Sequence, residues 1–269
     1  MRALARRVLP APLSERLHLA REQLLMRRFA PRVVRHRYGD VELAVSLEDP
    51  LAAGWYDADW ALPHEIAFLR RGRLGPGARV FDCGAHQGVV ALMIAHEVAP
   101  GGEVIAVEAS PHNAAVLERN RDLNGAAIEV VAAAVTDRPG TVHFRGALNG
   151  SITGRGGGAV VPATTLDELT RRFGAPDVVF MDVEGAELQA IAGGAETLTA
   201  LPDLFVEVHP QGASAEQVLA ALPRGYDVFV APYHGEFVPL AEGREHLAGK
   251  CNLVLLAAEP AAQAASEHA

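Results

Sequence analysis

The sequence predicts an α/β fold built on a mostly parallel sheet with helices on both faces. From residue 79 onward, short apolar runs typical of strands alternate with longer segments of helical spacing. Two of these runs end in an acid, Asp82 and Glu108, and a glycine turn from Gly84 to Gly88 follows the first. A βαβ unit arranged in this way presents a crevice for a nucleoside. We therefore expect a nucleoside cofactor.

The chain begins with segments that precede this alternation. Apolar residues at helical spacing predict an amphipathic helix with arginines off the apolar stripe: Leu13, Leu17, Ala20 and Leu24. Residues 34–47 alternate in polarity and are expected to form a short hairpin around Gly39. Three aromatic residues follow at Trp55, Tyr56 and Trp60. We expect residues 1–60 to form an N-terminal extension made of this helix, the hairpin and an aromatic cover.

Strands and helices are then expected in alternation. The predicted strands are 79–83, 103–108, 128–134, 177–183, 203–208, 226–231 and 251–257. The predicted helices are 60–71, 88–98, 111–123, 165–173, 186–200 and 213–222, and Thr165 with Glu168 forms a capping box for one of them. Six glycines between Gly146 and Gly158 predict a flexible loop over 145–162. One main domain is expected over 61–260, with a disordered tail at 261–269.

Charge is distributed unevenly along the chain. Residues 1–37 hold ten Arg and two Glu, a net +8 that leaves −17 for the remainder of a chain with a formal net charge of −9. The basic segment has no interleaved aromatic residues, and the acidic body would repel a phosphate backbone, so no nucleic-acid partner is expected. We expect the segment to cover the acceptor side or to join two copies of the chain through its helix.

Apolar patterning and cysteine content indicate the compartment. No stretch approaches the roughly 20 apolar residues of a membrane span, and Arg6, Arg7 and Glu15 interrupt any signal-peptide core. Cys83 and Cys251 both lie within apolar runs and are interpreted as small core residues. These observations predict a cytoplasmic protein without a membrane span.

The first turn distinguishes between cofactors. A dinucleotide fingerprint needs G-x-G-x-x-G, whereas this turn has the spacing Gly84-x-x-x-Gly88. Asp82 would repel a phosphate but attract an ammonium group. S-adenosyl-L-methionine (SAM) carries an ammonium and a sulfonium and no phosphate, so it is the expected cofactor. An NAD-dependent oxidoreductase is correspondingly disfavoured.

Six segments together resemble the FkbM family of SAM-dependent methyltransferases over about residues 62–210. They are VFDCGAHQGVVALMIA, VIAVEASPHNAAVLERNRDLN, AAAVTDRPGTVHF, TTLDEL, FMDVEGAELQAIAGGAETL and LFVEVHP. The resemblance implies a Rossmann-like class I methyltransferase fold with a seven-stranded sheet whose last strand is antiparallel. It also implies O-methylation in natural-product or glycan modification, with S-adenosylhomocysteine as the product. Three positions depart from the family pattern, which usually has Asn at His86, Pro at Ala109 and Lys at Phe180.

The cofactor residues are expected around the first two strand ends. Asp82 can accept from the ammonium group, Glu108 can accept from both ribose hydroxyls, and His86 is expected to make a hydrogen bond within the cofactor turn. A helix cap for Asp82 and plain turn geometry for the glycines are the structural alternatives. Small residues at 133–135 would leave room for adenine. The full predicted set is Asp82, Gly84, Ala85, His86, Gly88, Glu108, Ala109, Ala134 and Asp182.

Catalysis is expected after the fourth and fifth strands of the sheet. Methyl transfer needs proximity, orientation and removal of the nucleophile's proton. A carboxylate at Asp182 can orient the acceptor hydroxyl. His209 is the candidate base as a neutral imidazole near pH 7, with a structural histidine before Pro210 as the alternative. Glu184 either joins them or caps the next helix, and Glu187 is expected on the surface of that helix.

The acceptor site and the competing mechanisms rest on fewer signals. Trp55, Tyr56, Ser151 and Glu207 are the expected substrate-binding residues, with Ser151 in the glycine-rich segment that is expected to line the entrance. The alternative for the aromatic residues is that they attach the N-terminal extension to the core. No metal is expected. The alternative is a divalent-metal enzyme that holds Mg²⁺ through Asp182, Glu207 and His209. A non-catalytic binding module is a third hypothesis, which the joint presence of Asp82, Glu108 and Asp182 disfavours.

Overall fold

The fold is described from a computed structural model that covers residues 24–146, 150–153, 158–233 and 235–258. The predicted N-terminal helix falls mostly within residues 1–23 and the predicted tail within 261–269, so both lie outside the described residues. The elements are β1 (Arg32–Tyr38), β2 (Val41–Leu47), α1 (Pro50–Tyr56), α2 (His64–Leu69), β3 (Arg79–Cys83), α3 (Val89–Val98), β4 (Glu103–Val107), α4 (Pro111–Asn124), β5 (Ile128–Val131), β6 (Ala134–Val135), β7 (Gly140–Arg145), β8 (Ser151–Ile152), β9 (Ala159–Thr164), α5 (Leu166–Phe173), β10 (Val178–Met181), α6 (Glu187–Ala192), α7 (Ala195–Thr199), β11 (Asp203–Val208), α8 (Ala215–Ala221), β12 (Tyr226–Pro232), β13 (Val238–Pro239), a 3₁₀ turn (Arg244–Leu247) and β14 (Cys251–Ala257).

The central sheet organises the fold. Within the described residues it has eight strands in the spatial order β13-β12-β14-β11-β10-β3-β4-β5. Strands β3, β4, β5, β10 and β11 are parallel to their neighbours in that run, whereas β14 is antiparallel to both β11 and β12. This confirms the expected α/β fold and the antiparallel last strand. The short edge strand β13 adds one to the seven expected.

Apolar residues on both faces bury the sheet. Along β3, Val80 packs into a core with α3 and Phe81 into the core on the opposite face with α6 and α8, and both side chains are fully buried. A parallel sheet covered on both faces needs continuous apolar strands, which is why these runs are uninterrupted in the sequence. Strand β3 has β4, the next strand in the sequence, on one side and β10, a much later strand, on the other. Such a switch point opens a crevice at the carboxyl ends of the strands.

The hairpin forms where it was expected. Strands β1 and β2 pair in antiparallel register around Gly39, which has a positive φ of +58°. The second strand docks on α4, where Asn120 Oδ1 accepts from the Ser46 amide at 2.7 Å and Asn124 Oδ1 accepts from the Ala44 amide at 3.0 Å. Side-chain amides therefore satisfy backbone groups of a strand that has no sheet neighbour on that edge among the described residues.

The glycine-rich segment differs from the predicted loop. Its described residues include β8 and β9, which pair with β7 in a small sheet of spatial order β6-β9-β7-β8. A Cβ at Gly150 would lie 2.7 Å from the Phe144 ring, and one at Gly158 would lie 2.1 Å from the Phe144 carbonyl oxygen. These two glycines therefore allow close packing around β7. Residues 147–149 and 154–157 lie outside the described residues.

Two helix predictions also need correction. The single helix expected over 186–200 is divided into α6 and α7 at Gly193 and Gly194. The Thr165 hydroxyl does accept from the Glu168 amide at 3.0 Å, but the Glu168 carboxylate accepts from the Thr164 hydroxyl instead of completing the capping box. No described helix has the length and apolar character that a membrane crossing requires.

Candidate active site

A cavity of about 1050 Å³ opens at the carboxyl ends of the central strands. Three carboxylates define it: Asp82 in β3, Glu108 directly after β4 and Asp182 directly after β10 all line its wall. The volume is at the upper end of the roughly 300–1,000 Å³ typical of ligand pockets. The switch point of the sheet has therefore produced one continuous space along this edge.

The part of the cavity around Asp82 and Glu108, where the sequence predicts the cofactor, is strongly acidic and largely desolvated. Asp82 is 5% exposed, and its Oδ2 has no hydrogen-bond partner among the described residues. Burial, reinforced by the nearby Glu108, raises the pKa of Asp82 to about 7, and burial likewise raises the pKa of Glu108 to about 7. A bound cation would stabilise the ionised form of Asp82.

Backbone amides fix Glu108 in position. Its Oε2 accepts from the His86 amide at 2.9 Å and its Oε1 accepts from the Ser110 amide at 2.7 Å. The Asn113 side chain and the Ala109 amide also donate to this carboxylate. The rigid orientation of this carboxylate suits recognition of a ribose.

The glycine turn is shaped by steric requirements. Gly84 has φ +94°, and a Cβ there would lie 1.8 Å from the Asp182 carbonyl oxygen. His86 has φ +50°, a left-handed conformation in which His and Asn are enriched, which explains how it can replace the Asn usual in the family. Asp82 does not cap the next helix, because α3 begins after Gly88 and has no side-chain cap.

Gly84→Ala is expected to destabilise the protein by about 3 kcal/mol or more, because it adds a steric overlap to the roughly 1–2 kcal/mol for a left-handed alanine. Gly77→Ala is a matched control, since Gly77 has φ +87° but nothing within 4 Å of its added Cβ. Chemical denaturation of both variants separates the two contributions. Equal losses of stability would contradict the overlap with Asp182.

The part of the cavity around Asp182 and Glu207, where the sequence predicts the acceptor, adjoins a network of acids around one imidazole. His209 Nε2 lies 3.1 Å from Glu207 Oε1, 3.3 Å from Glu184 Oε2 and 3.8 Å from Asp182 Oδ1. Its Nδ1 lies 3.0 Å from Glu187 Oε1. The ammonium of Lys250 contacts Glu207 and stacks 3.8 Å from the centre of the Tyr233 ring.

This network corrects the interpretation of His209 as a neutral base. Burial lowers its pKa, but the hydrogen bond to Glu187 and the close contact with Glu207 outweigh burial and raise that pKa to about 10. The ring is 2% exposed and is not part of the cavity wall. His209 is thus an imidazolium at neutral pH, without a lone pair for a substrate proton.

The same network changes the protonation of the acids. Burial and the charge of Glu207 hold the pKa of Asp182 well above its usual range. Although burial opposes it, contacts with His209 and Lys250 hold the pKa of Glu207 below its usual range. Asp182 thus joins Asp82 and Glu108 as a carboxyl on the cavity wall with a raised pKa, and of these three it is the one next to His209.

Sequence reasoning missed two members of this network. Glu187 was expected on a helix surface but is fully buried, where it accepts from the Gly185 amide at 2.9 Å and from His209. Glu184, which was expected either beside Asp182 or as a helix cap, was not missed: it lines the cavity with φ +50° and does not cap α6, whose N-cap is Ala186. The second missed member is Lys250. It precedes β14, and no motif marks it.

Most of the predicted site residues do meet in the cavity. Those that line it are Asp82, Gly84, Ala85, His86, Glu108, Ala109, Ala134, Asp182, Glu184, Trp55, Tyr56 and Glu207. Gly88, Ser151 and His209 do not. Gly88 packs against Leu117, whose Cγ would lie 2.7 Å from an added Cβ, and Ser151 pairs with Arg145 between β7 and β8.

The sheet order, the acid after β4 and the cavity together define a class I methyltransferase architecture. The family model described as "Methyltransferase FkbM domain" matches residues 82–237, so the chain belongs to the FkbM family of SAM-dependent methyltransferases. A comparison with curated protein sequences finds no match.

Several solved structures are similar to this chain. Fibrillarin from Aeropyrum pernix, with bound SAM, is 10% identical with a TM-score of 0.42 over 68% of each chain. A SAM-dependent methyltransferase from Aquifex aeolicus is 15% identical with a TM-score of 0.44 over 78% of this chain and 94% of its own. A putative O-methyltransferase from Klebsiella pneumoniae is 12% identical with a TM-score of 0.41 over 71% of this chain and 77% of its own.

Proposed function

We propose that the protein transfers a methyl group from SAM to a hydroxyl of a small molecule, as in natural-product or sugar modification. The observation that carries the proposal is one continuous cavity with Asp82 and Glu108 in its cofactor half and Asp182 in its acceptor half. Both substrates of a methyl transfer can meet there without leaving the protein. The product on the cofactor side is S-adenosylhomocysteine.

The cofactor half fits SAM chemically. Asp82 is a buried carboxylate without a cationic partner among the described residues, which suits the ammonium group. Glu108 would accept from the ribose hydroxyls. Ala109 and Ala134 line the same cavity and leave space for a flat base.

The acceptor half suits a compact, hydroxylated molecule. Trp55, Trp60 and Tyr233 contribute aromatic surface, and Glu207 contributes hydrogen-bond acceptors. Aromatic faces beside carboxylates are suited to sugar rings, which combine apolar C–H faces with hydroxyl donors. The acidity of this lining would repel a phosphate backbone, which supports a small-molecule acceptor over a nucleic acid.

The residues of the chain would orient the acceptor and receive its proton. Bound SAM supplies an electrophilic methyl group. Asp182, on the cavity wall with a raised pKa, accepts the proton of the hydroxyl as the oxygen attacks. His209 stays protonated behind it and offsets the charge of the surrounding carboxylates. Its role is therefore that of a positioning residue.

The proposal is tested by incubating the protein with SAM and a panel of matched alcohols, amines and carboxylic acids. S-adenosylhomocysteine formed only with hydroxylated acceptors, together with a methyl ether product, is the expected result. A product methylated at nitrogen or carbon would contradict O-methylation while leaving the family assignment intact.

A metal-dependent version has one specific observation in its favour. One ligand atom from each of Asp182, Glu207 and His209 lies within 4.8 Å of the others. Against it, Lys250 already contacts Glu207, and protonated His209 lies between the carboxylates, so two cations already balance these acids. The geometry favours a metal-free mechanism, in which a side chain of the protein accepts the proton of the hydroxyl.

Activity is accordingly expected to persist, within about twofold, after treatment with EDTA and dialysis. Initial rates measured with and without added Mg²⁺ check this directly. Heat-denatured protein controls for background methylation. Abolition by EDTA with recovery on adding Mg²⁺ would identify the three residues as ligands instead.

A further inference from the structure

Each end of helix α1 contacts one residue of the glycine turn: Asp49 at its start contacts Gln87, and Tyr56 at its end contacts His86. The helix lies within residues 50–56, before the residues that match the family model, which begin at 82. Its N-cap, Asp49, is fully buried, and the Asp49 Oδ2 accepts from Gln87 Nε2 at 2.6 Å. At the other end of the helix, the Tyr56 hydroxyl lies 2.9 Å from His86 Nδ1. Two consecutive residues of the turn are thus fixed by one helix.

His86 connects this helix to the ribose-facing acid. Its ring contacts Tyr56, whereas its backbone amide donates to Glu108 Oε2 at 2.9 Å. Its left-handed φ of +50° is a sparsely populated conformation for a residue with a side chain, and it persists only where neighbouring contacts enforce it. The ring contact and the amide contact are two such restraints.

We infer that Tyr56 is a positioning residue for the cofactor ribose, because its hydroxyl fixes His86 and the His86 amide fixes the carboxylate of Glu108. This inference rests on the proposed binding of SAM. It reassigns Tyr56 from acceptor binding to cofactor positioning. It also makes a segment outside the family-matched residues part of the cofactor site.

The environment of Tyr56 suits this role. The side chain is 5% exposed, and Tyr38 donates a hydrogen bond to the Tyr56 carbonyl, which holds the end of α1 in place. Burial raises the pKa of the Tyr56 phenol, so its hydroxyl keeps its proton throughout the physiological pH range. The contact with His86 therefore does not depend on pH through the phenol.

The test compares two ligands by calorimetry: S-adenosylhomocysteine and its 2′,3′-dideoxy analogue. Tyr56→Phe is expected to weaken S-adenosylhomocysteine binding by about 3- to 10-fold, the effect of one lost hydrogen bond. The same variant is expected to change binding of the dideoxy analogue by less than about twofold, because that ligand has no hydroxyls for Glu108 to bind. A merely structural role would weaken both ligands equally, and that result would overturn the inference.

Two further variants complete the experiment. His86→Asn keeps a residue that tolerates the left-handed conformation. Adding Tyr56→Phe to it should therefore cause no further loss of affinity, and additive losses would contradict the inference.

Tyr226→Phe removes a buried phenol on β12, at the opposite side of the central sheet, and is the matched control. It should change neither affinity. If the unchanged protein bound both ligands equally, the ribose assignment of Glu108 in the proposed function would fail first, and the role of Tyr56 with it.

Discussion

Asp182→Asn is expected to lower turnover by about two to four orders of magnitude while leaving the affinity for S-adenosylhomocysteine nearly unchanged. The amide keeps the size and shape of the carboxylate on the cavity wall, but it cannot accept the proton of the acceptor hydroxyl. Single-turnover rates combined with calorimetry measure the two quantities separately. Asp122→Asn is the matched control, because Asp122 lies on α4 and pairs only with its neighbour Arg121 through the contacts described for it.

The pH dependence gives an independent test of the same role. The pKa of Asp182 is raised by burial and by Glu207, so a growing share of this carboxyl is protonated as the pH falls through that raised value. Wild-type turnover should therefore fall toward low pH, and the residual activity of the Asn variant should lack this decline. A variant that retained more than about a third of wild-type turnover would exclude Asp182 as the proton acceptor.

Glu108→Ala is expected to weaken S-adenosylhomocysteine binding by about 1.5–3 kcal/mol, or roughly 10- to 150-fold, because charge-assisted hydrogen bonds to the ribose are lost. Two backbone amides, those of His86 and Ser110, also lose their acceptor. Calorimetry measures the affinity, and circular dichroism checks that the fold is kept. Glu103→Ala provides the control, since Glu103 begins the same strand at its opposite end and contacts Arg79 there. Unchanged affinity in Glu108→Ala would refute the ribose assignment.

Local patterns predicted the elements that depend on local physics. An apolar run that ends in an acid fixes both the strand and the edge of the sheet at which its carboxylate lies, so Asp82, Glu108 and Asp182 could be assigned from their positions in the sequence. Steric crowding is not local. The sequence placed Gly88 in a ligand-binding turn and Gly150 in a flexible loop. In the structure, each glycine allows close packing, Gly88 against Leu117 and Gly150 against Phe144. Leu117 lies on α4, well beyond Gly88 in the sequence, whereas Phe144 is near Gly150 in the sequence and reaches it because β7 pairs with β8.

Protonation states in the acceptor half could not be predicted for the same reason. Helical spacing placed Glu187 on a surface, because nothing in its own segment indicates that His209 lies 22 positions later in contact with it. The charge of His209 depends on how many carboxylates surround it in space. Four such groups lie near its two nitrogens, and three of them come from the segment that follows β10. The neutral imidazole expected from the sequence becomes an imidazolium in that surrounding.

The docking of the hairpin on α4 has a consequence for the order of folding during synthesis. The amides of Ala44 and Ser46 find their acceptors on Asn124 and Asn120, 80 and 74 positions further along the chain. During synthesis the hairpin emerges before α4. It therefore cannot dock until the βαβ unit that follows it has been synthesised and has folded. The docking of helix α1, which comes directly after the hairpin, is expected to be delayed in the same way. The hairpin and α1 precede the βαβ unit in the sequence but are thus expected to reach their native positions after it, and the cofactor site is complete only then.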